Sequence, residues 1–313
     1  MSESVAETAA QRYVDLQVNG YAGVDFNSDG LVAEDFRNAC DRLRRDGVSE
    51  ILATVITDDL ASMERRLSAI VAASESDPTV GSIIRGIHIE GPFLNETPGY
   101  IGAHPVQHAM PANLEAMQRL LDAANGMTQI VTLAPERDAE SKLTRWLSDQ
   151  GIVVSAGHCD PSADQLKAAI DSGLSMFTHL GNGCPLLVHR HDNIIQRVLN
   201  QASHLMIGFI ADGVHVPLPA LRNYVRCAGI DRAFVVTDAI AAAGQGPGTY
   251  ELAGQAVVVD ENLATWAPDR SHLIGSASTM PSLVLNLKAI GLGEAEIYRL
   301  TSINPLAALG LKS

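Results

Sequence analysis

Four polar side chains with the chemistry of a metal site each follow a short apolar run of the chain. The residues that follow these runs are Glu90, His158, His179 and Asp238. Two imidazoles and a carboxylate can hold a catalytic cation, which needs a few N or O ligands and an open position for water. A further carboxylate beside that water can take up a proton and return it to a leaving amine, which is the role expected of Asp238. The four residues therefore predict a metal-dependent hydrolase centre.

These side chains can meet only if the runs that carry them lie side by side. Eight runs rich in β-branched residues alternate with amphipathic segments, and glycines at 47, 151 and 173 mark helix ends just before a run. Two of the segments, 33–43 and 162–170, have helical periodicity, and Ser162 is placed to cap the second. The predicted strands are 13–19, 49–57, 83–90, 129–135, 151–157, 175–180, 204–211 and 232–237.

Eight strand–helix units favour an α/β fold of the (β/α)8 TIM barrel type, with an open doubly wound sheet as the alternative. The first strand lacks the Gly-x-Gly-x-x-Gly that a dinucleotide-binding sheet carries. Three long segments, 91–112, 183–193 and 239–275, follow strand ends on the face where barrels keep their chemistry. The last of them includes a predicted hairpin around 249–259. Because no domain boundary is visible, residues 1–313 are interpreted as one catalytic barrel domain.

Composition excludes several classes of partner. The formal net charge is −14 and there is no run of Lys or Arg, so a nucleic acid partner is not expected. Any phosphate site must therefore be built from local donors. The four cysteines show no CxxC spacing, and no stretch resembles a signal peptide or a membrane span, which predicts a reduced, cytoplasmic protein without a membrane partner.

Eight short motifs resemble those of the N-acetylglucosamine-6-phosphate deacetylases, a family of the amidohydrolase superfamily. In chain order they read DLQVNG, HIEGPFLN, GAHP, SAGH, THLGN, ADGVH, VTDA and GSASTM. Each is weak alone, but their shared order spans nearly the whole chain. The resemblance implies a barrel of the metal-dependent amidohydrolase type. The implied activity removes acetate from an N-acetyl amino sugar, with N-acetylglucosamine 6-phosphate as the expected substrate and glucosamine 6-phosphate as the product.

The resemblance also implies roles by position. Glu90, His158 and His179 match metal ligands, and Asp238 matches the catalytic acid and base. His104 matches a histidine that contacts substrate and can polarise the acyl carbonyl. The positions that hold the sugar phosphate are matched by Asn182, Gly183, His215 and, 11 residues after His179, Arg190. In relatives this arginine can serve the site of a neighbouring subunit, so a homodimer is implied.

One divalent metal is expected rather than two. Many amidohydrolases carry His-x-His on the first strand, where this chain has Gln17 and Asn19. Carboxamides are poor ligands for such cations, and the branch of the family with Gln-x-Asn has one metal. Zinc is the expected ion for the ligand set Glu90, His158 and His179, with iron, manganese and cobalt as alternatives.

The chain departs from the family in two further places. The accessory β-domain that flanks the barrel in relatives is expected to be absent or reduced here. In the loop after strand 6, His189, His191 and Asp192 surround Arg190. Asp192 would weaken a phosphate site if it neutralised Arg190, whereas His189 and His191 would add donors. A solvated loop with no ligand role is the third interpretation.

Two other functions stay open. A metal amidohydrolase with another substrate is one: an unphosphorylated amino sugar, an N-acyl amino acid or a cyclic amide. The other is a non-catalytic binding protein on an enzyme scaffold.

His88 shares a strand face with Glu90 and is interpreted either as a partner of the site or as a buried hydrogen-bonded histidine. Cys159 and Cys184 are expected to be packing residues.

Overall fold

The computed structural model describes residues 12–311, and eight parallel strands form its centre. Each strand pairs with the next one along the chain, from the first to the eighth. This order confirms the barrel and excludes a doubly wound sheet, in which the strand order reverses. The strands are β1 Tyr13–Val18, β2 Val48–Ile56, β3 Ile84–Glu90, β4 Thr128–Leu133, β5 Val153–Ala156, β6 Leu174–Phe177, β7 Met206–Ile210 and β8 Ala233–Val236.

The seam between β1 and β8 is closed by side chains more than by a ladder. A single parallel bridge joins Val18 to Ala239, and the backbone N–H of Asn19 donates to the Ala239 carbonyl over 2.7 Å. Below it, the hydroxyl of Thr237 donates to the buried carboxyl of Asp15 over 2.6 Å. The barrel is therefore nearly closed, and Asp15 connects its first strand to its last.

Helices surround the strands and alternate with them. The first is amphipathic as predicted and buries Phe36, Ala39, Cys40 and Leu43. Ser162 caps the sixth, where its side chain accepts from the backbone N–H of Gln165. The helices are α1 Ala33–Arg45, α2 Leu60–Ser76, α3 Pro78–Ile83, α4 Leu114–Ala123, α5 Lys142–Asp149, α6 Ala163–Asp171, α7 Ile194–Asn200, α8 Leu218–Ala228, α9 Met280–Ala289, α10 Glu294–Tyr298 and α11 Asn304–Ala308.

The two ends of the barrel are covered differently. At the amino-terminal end, Leu306 and Ala308 of α11 pack against the interior residues Val14, Leu16 and Phe234. A small antiparallel sheet follows β8 and contains the predicted hairpin, with strands β9 Gly248–Leu252, β10 Gln255–Val259 and β11 Thr265–Trp266. It packs its apolar residues onto the segment after β8 and places them beside Ala103 of the 91–112 loop.

Several short elements complete the fold. Residues Gly20–Tyr21 and Val24–Asp25 form a two-stranded hairpin after β1, and 3₁₀ turns occur at Val106–His108, Pro135–Arg137 and Ala139–Ser141. A π-helical turn, Arg299–Ile303, joins α10 to α11. Among residues 12–311, no helix combines the length and the apolar character that crossing a membrane requires.

Candidate metal centre

Glu90, His158 and His179 converge at the carboxyl ends of β3, β5 and β6. The Nε2 atoms of the two histidines are 3.1 Å apart, and the Oε1 atom of Glu90 lies 3.1 Å from His179 and 3.3 Å from His158. Ligands of a tetrahedral zinc ion, each about 2.0–2.1 Å from the metal, would be separated by about 3.3 Å. All three side chains are buried, so the spacing fits one small cation in a water-poor pocket.

The backbone turns sharply where these side chains leave their strands. His158, His179 and Asp238 each lie two residues beyond a strand end and have positive φ angles of 51°, 36° and 52°. Side chains with a Cβ pay roughly 1–2 kcal/mol for this left-handed conformation. Such strain persists where the surrounding structure imposes it, and it often accompanies functional sites.

The ring of His158 is fixed from behind. Its Nδ1–H donates to the carbonyl oxygen of Tyr100 over 2.8 Å, and the Nε2 lone pair therefore points into the centre. A Cβ built on Gly102 or Gly183 would lie 3.0 Å from this ring. Both glycines also have positive φ, so they let two loops close on the imidazole without a clash.

Two carboxamides, one near the end of β1 and one just after it, donate to the two carboxylates of the centre. The Nε2 atom of Gln17 lies 3.1 Å from Oε2 of Glu90, and the Nδ2 atom of Asn19 lies 2.7 Å from Oδ1 of Asp238. Burial raises the pKa of Glu90, but the contacts of its carboxylate with the His158 and His179 rings outweigh burial and hold the pKa well below its usual value. In this arrangement Gln17 and Asn19 orient the carboxylates as hydrogen-bond donors.

His104 reaches the same point from the 91–112 loop. Its Nε2 atom is 3.3 Å from Nε2 of His158, and Glu90, His104 and His158 also satisfy the spacing of a metal-ligand trio. The Thr57 hydroxyl lies 3.0 Å from His104 Nδ1, and the backbone N–H of Thr57 donates to the same nitrogen over 3.4 Å, so Thr57 fixes the direction of the ring. Because burial lowers the pKa of His104 to about 3, the ring is neutral, and it can donate from Nε2 when its proton is on that nitrogen.

Asp238 lies half-buried beside the trio. Burial, and then the charge of Glu90, raise its pKa to about 6. A carboxyl with a pKa near neutrality can both accept and release a proton at physiological pH.

His215 is held next to this carboxyl by Asp212. The Nδ1–H of His215 donates to Asp212 Oδ2 over 2.6 Å, while the other oxygen of Asp212 accepts from the backbone N–H groups of Val214 and His215. Burial raises the pKa of Asp212, but the charge of His215 and its hydrogen bond lower it more, below the usual value. A positive charge on His215 would also lower the pKa of Asp238.

The loop at 183–193 presents Arg190 to solvent. Its side chain is exposed, and it pairs with no carboxylate in the part of the chain that the structure describes. Asp192, which was one candidate for neutralising it, instead binds Arg197 Nε over 2.7 Å. Asn182, at the start of the loop, contacts the carbonyl of His179 over 3.4 Å, and Gly183 packs on His158.

His88 is a buried hydrogen-bonded histidine inside the barrel. Its Nε2 atom lies 2.7 Å from the hydroxyl of Thr132, which continues through Thr178 to Ser155 in a chain of buried hydroxyls. Burial lowers its pKa to about 4. Cys159 is buried and Cys184 half-buried, and burial raises the pKa of both thiols, as expected for packing residues.

The sequence did not predict the residues that orient His215 and His104. Asp212 lies three residues before His215, and an Asp whose side chain folds back onto the next backbone N–H groups is a recognised turn signal. Thr57 contacts His104 across 47 positions of sequence and gave no such signal.

Comparison with known proteins agrees with this geometry. No family model matches the chain. The N-acetylglucosamine-6-phosphate deacetylase of Bacillus subtilis is 30% identical over 301 residues, which cover 95% of this chain and 74% of that protein. That of Bos taurus is 32% identical over 314 residues, with 97% and 75% covered. The chain belongs to the N-acetylglucosamine-6-phosphate deacetylase family.

Other members of this deacetylase family show how closely the fold is kept. The N-acetyl-D-glucosamine-6-phosphate deacetylase from Mycobacterium smegmatis, solved as a mutant in complex with N-acetyl-D-glucosamine-6-phosphate, gives a TM-score of 0.86 at 28% identity. The alignment covers 96% of this chain and 77% of that one. An N-acetylgalactosamine-6-phosphate deacetylase from Escherichia coli is 29% identical, with 99% of this chain and 80% of that protein covered. Relatives with this barrel thus differ in the sugar that their names state.

Proposed function

We propose that the protein is a metal-dependent deacetylase of an N-acetyl amino sugar 6-phosphate, with N-acetylglucosamine 6-phosphate as the first candidate. The convergence of Glu90, His158 and His179 within 3.3 Å of one another, beside the half-buried Asp238, carries this proposal. Membership of the deacetylase family and the named substrates of its relatives support it.

The metal would be held by Glu90, His158 and His179, and zinc suits a set of two imidazoles and one carboxylate. His158 offers a lone pair because its other nitrogen donates to Tyr100. When bound, the cation supplies a Lewis acid that polarises the acyl oxygen and acidifies a water molecule. With Gln17 and Asn19 acting as donors to the carboxylates, one ion per chain is expected.

Asp238 is the group proposed to move the proton. It takes one from the water that attacks the acetyl carbonyl and delivers it to the amine nitrogen as the C–N bond breaks, so acetate and the free amine leave. His104 donates its Nε2 proton to the carbonyl oxygen, on which negative charge develops. His104 is buried and Asp238 is half-buried, which limits the competition of water for these hydrogen bonds.

Asn182, Gly183, His215 and Arg190 are proposed to bind the sugar phosphate. Asp212 fixes the orientation of His215, and Arg190 has no carboxylate partner within residues 12–311. On a chain of net charge −14, an unpaired guanidinium is the kind of local donor that a phosphate dianion needs.

A homodimer is the proposed assembly. Leu186 and Leu187 lie in the same loop as Arg190 and are 99% and 93% exposed. Covering this apolar pair with a second copy would place Arg190 at the interface. Sedimentation of the wild type should give a dimer, and replacing both leucines with Ser should shift it toward a monomer. A monomeric wild type would contradict the proposal.

The activity is tested by acetate release from zinc-loaded protein. N-acetylglucosamine 6-phosphate is compared with the 6-phosphates of N-acetylgalactosamine and N-acetylmannosamine, and chelated protein serves as the control. Turnover of none of the three would reject the phospho-sugar assignment. Less than one bound metal per chain after reconstitution would revive the non-catalytic interpretation.

The Arg190→Ala variant separates this proposal from an amidohydrolase of unphosphorylated substrates. Its KM should rise about tenfold or more for the phosphorylated sugar, since a charge-assisted contact is worth about 1.5–3 kcal/mol, and should hardly change for the unphosphorylated one. Equal effects would favour the second function.

The cytoplasmic setting and the reduced accessory domain stay predictions. Residues 12–311 hold the barrel, the small β9–β11 sheet and the short hairpin after β1.

A further inference from the structure

Arg197 of α7 holds three groups at once with its guanidinium. Its Nη1 atom donates to Asp160 Oδ1 over 2.8 Å and to the Pro161 carbonyl over 2.9 Å, and its Nε atom donates to Asp192 Oδ1 over 2.7 Å. The arginine side chain is only 17% exposed, whereas that of Asp192 is 71% exposed. The guanidinium is thus the more buried partner, and Asp192 is the exposed group that it holds.

Asp160, one of the groups that Arg197 holds, is anchored next to the metal centre. Asp160 follows His158 by two residues, and its backbone N–H donates to Glu136 Oε1 over 2.6 Å. Glu136 also accepts from Asn95 over 2.8 Å. Arg197 therefore connects the loop after β6 to the loop after β5, which carries the candidate ligand His158.

Asp192, the exposed group that Arg197 holds, belongs to the segment that presents Arg190. Asp192 is the carboxylate of the 183–193 loop and lies two residues from Arg190. Its backbone N–H donates to His189 Nδ1 over 2.9 Å, and Asn193 Nδ2 donates to the His189 carbonyl over 2.8 Å. These bonds leave the proton of neutral His189 on Nε2, so the turn offers two donors to an anion, from His189 and Arg190.

We propose that Arg197 is a positioning residue for recognition of the substrate phosphate: by holding Asp192, it keeps that carboxylate from neutralising Arg190. This inference rests on the proposed function, in which Arg190 binds the phosphate. Arg197 acts through Asp192 and touches no reacting atom. Without it, Asp192 is free to pair with its neighbour, and the phosphate must displace a carboxylate before it can bind.

The test is a double-mutant cycle of Arg197→Ala and Asp192→Asn, read as KM and kcat with phosphorylated and unphosphorylated substrate. Arg197→Ala should raise KM for the 6-phosphate about three- to fivefold, since an exposed ion pair is worth up to about 1 kcal/mol. The unphosphorylated sugar should show no such rise. Adding Asp192→Asn should return KM to within about twofold of the Asp192→Asn single variant, because the competing carboxylate is then gone.

A purely structural role for Arg197 predicts a different result. If Arg197 only supports the loops, Asp192→Asn gives no rescue and both substrates suffer alike, which would overturn the inference. Arg145→Ala, an exposed arginine on α5 bonded to Ser172, is the matched control and should leave both KM values unchanged. If Arg197→Ala does not fold, Arg197→Lys takes its place, with a smaller rise in KM and the same requirement for rescue.

The cycle also distinguishes the failure of the two proposals. If Arg190→Ala leaves KM for the 6-phosphate unchanged, the phosphate site is wrong and the role of Arg197 falls with it. If Arg190→Ala raises KM but Asp192→Asn does not rescue Arg197→Ala, only the role of Arg197 is wrong. Competition by inorganic phosphate, measured as its inhibition constant on each variant, should follow the same pattern.

Discussion

Gln17 and Asn19 show how the identity of single residues limits the chemistry of the centre. Each carboxamide directs an N–H group at a carboxylate, one at Glu90 and the other at Asp238. A histidine pair at these positions would direct lone pairs at the same space and attract a second cation. The two amides therefore give each carboxylate a fixed orientation and leave one metal position.

The Gln17→Leu variant tests the orienting role of the first amide. Loss of the donor to Glu90 Oε2 leaves that buried oxygen without its partner, and metal affinity should fall about 10- to 100-fold, as for other groups that support a ligand. Competition with a chromogenic chelator measures the affinity. Unchanged affinity would mean that Glu90 is positioned by the two histidines alone. Gln150→Leu, at an exposed position after α5, is the control.

The Asp238→Asn variant separates proton transfer from metal binding. The amide cannot accept a proton, so kcat should fall about 10²–10⁴-fold while the metal content stays at the wild-type level. In the wild type, activity should also decline as pH falls through the pKa of Asp238, because the protonated carboxyl cannot act as a base. That pKa is about 6 before a cation lowers it. A variant that loses its metal as well would contradict the division between Asp238 and the ligands.

At the scale of residues, the sequence predicts a group of converging side chains that no single residue would indicate. The types and strand-end positions of Glu90, His158 and His179 were sufficient to expect them together, and the structure brings their atoms within hydrogen-bond distance. The direction of each ring was not predictable, because it depends on Tyr100 and Thr57, which approach from distant loops.

Strand ends are the elements that position the centre, and their geometry explains where sequence prediction was inexact. The sixth strand was expected to continue to residue 180 but ends at Phe177, because His179 takes a left-handed conformation. The fifth was expected from residue 151 but starts at Val153, after the turn at Gly151. Runs of β-branched residues locate strands well, whereas local sequence does not reveal where tertiary contacts turn the chain.

The Gly183→Ala variant tests how closely one of these loops packs on a ligand. A Cβ at this position would meet His158 Nδ1 at 3.0 Å, in addition to the cost of a positive φ. Gly126→Ala has a similar φ of 79° but nothing within 4 Å, and it serves as the matched control. Both should lose about 1 kcal/mol of stability, and only Gly183→Ala should lose metal affinity, by about tenfold. Equal affinities in the two variants would show that the ring has room to move.

At the scale of the whole molecule, the barrel depends on a buried acid at its seam. Burial raises the pKa of Asp15 to about 7, although its hydrogen bonds from Thr237 and Gln17 lower it. The folded state therefore holds a proton that the unfolded state has released between pH 3.8 and about 7. Stability from this residue is highest below that window and is lost as pH rises through it.

The Asp15→Asn variant isolates this contribution. Relative to the variant, the wild type should lose about 4 kcal/mol of unfolding free energy between pH 4 and pH 8. The figure follows from about 1.36 kcal/mol for each pH unit between the unfolded and folded pKa values. Urea unfolding at a series of pH values measures it. Gln150→Leu, which removes no titratable group, is the control and should show a flat difference. A flat difference for Asp15→Asn would mean that the hydrogen bonds keep the carboxyl ionised.

The wide separation of Glu90, His158 and His179 along the chain has a consequence for folding. They lie at or just beyond the ends of three different strands, so their lone pairs meet only once β3 to β6 are assembled. An ion that binds them works as a removable cross-link: it binds the native chain, has no preformed site in the unfolded one, and stabilises the former by RT ln(1 + [M]/Kd). Free metal concentration thereby becomes a thermodynamic variable of the fold, and resistance to proteolysis should follow the chelator concentration even in variants that have lost all turnover.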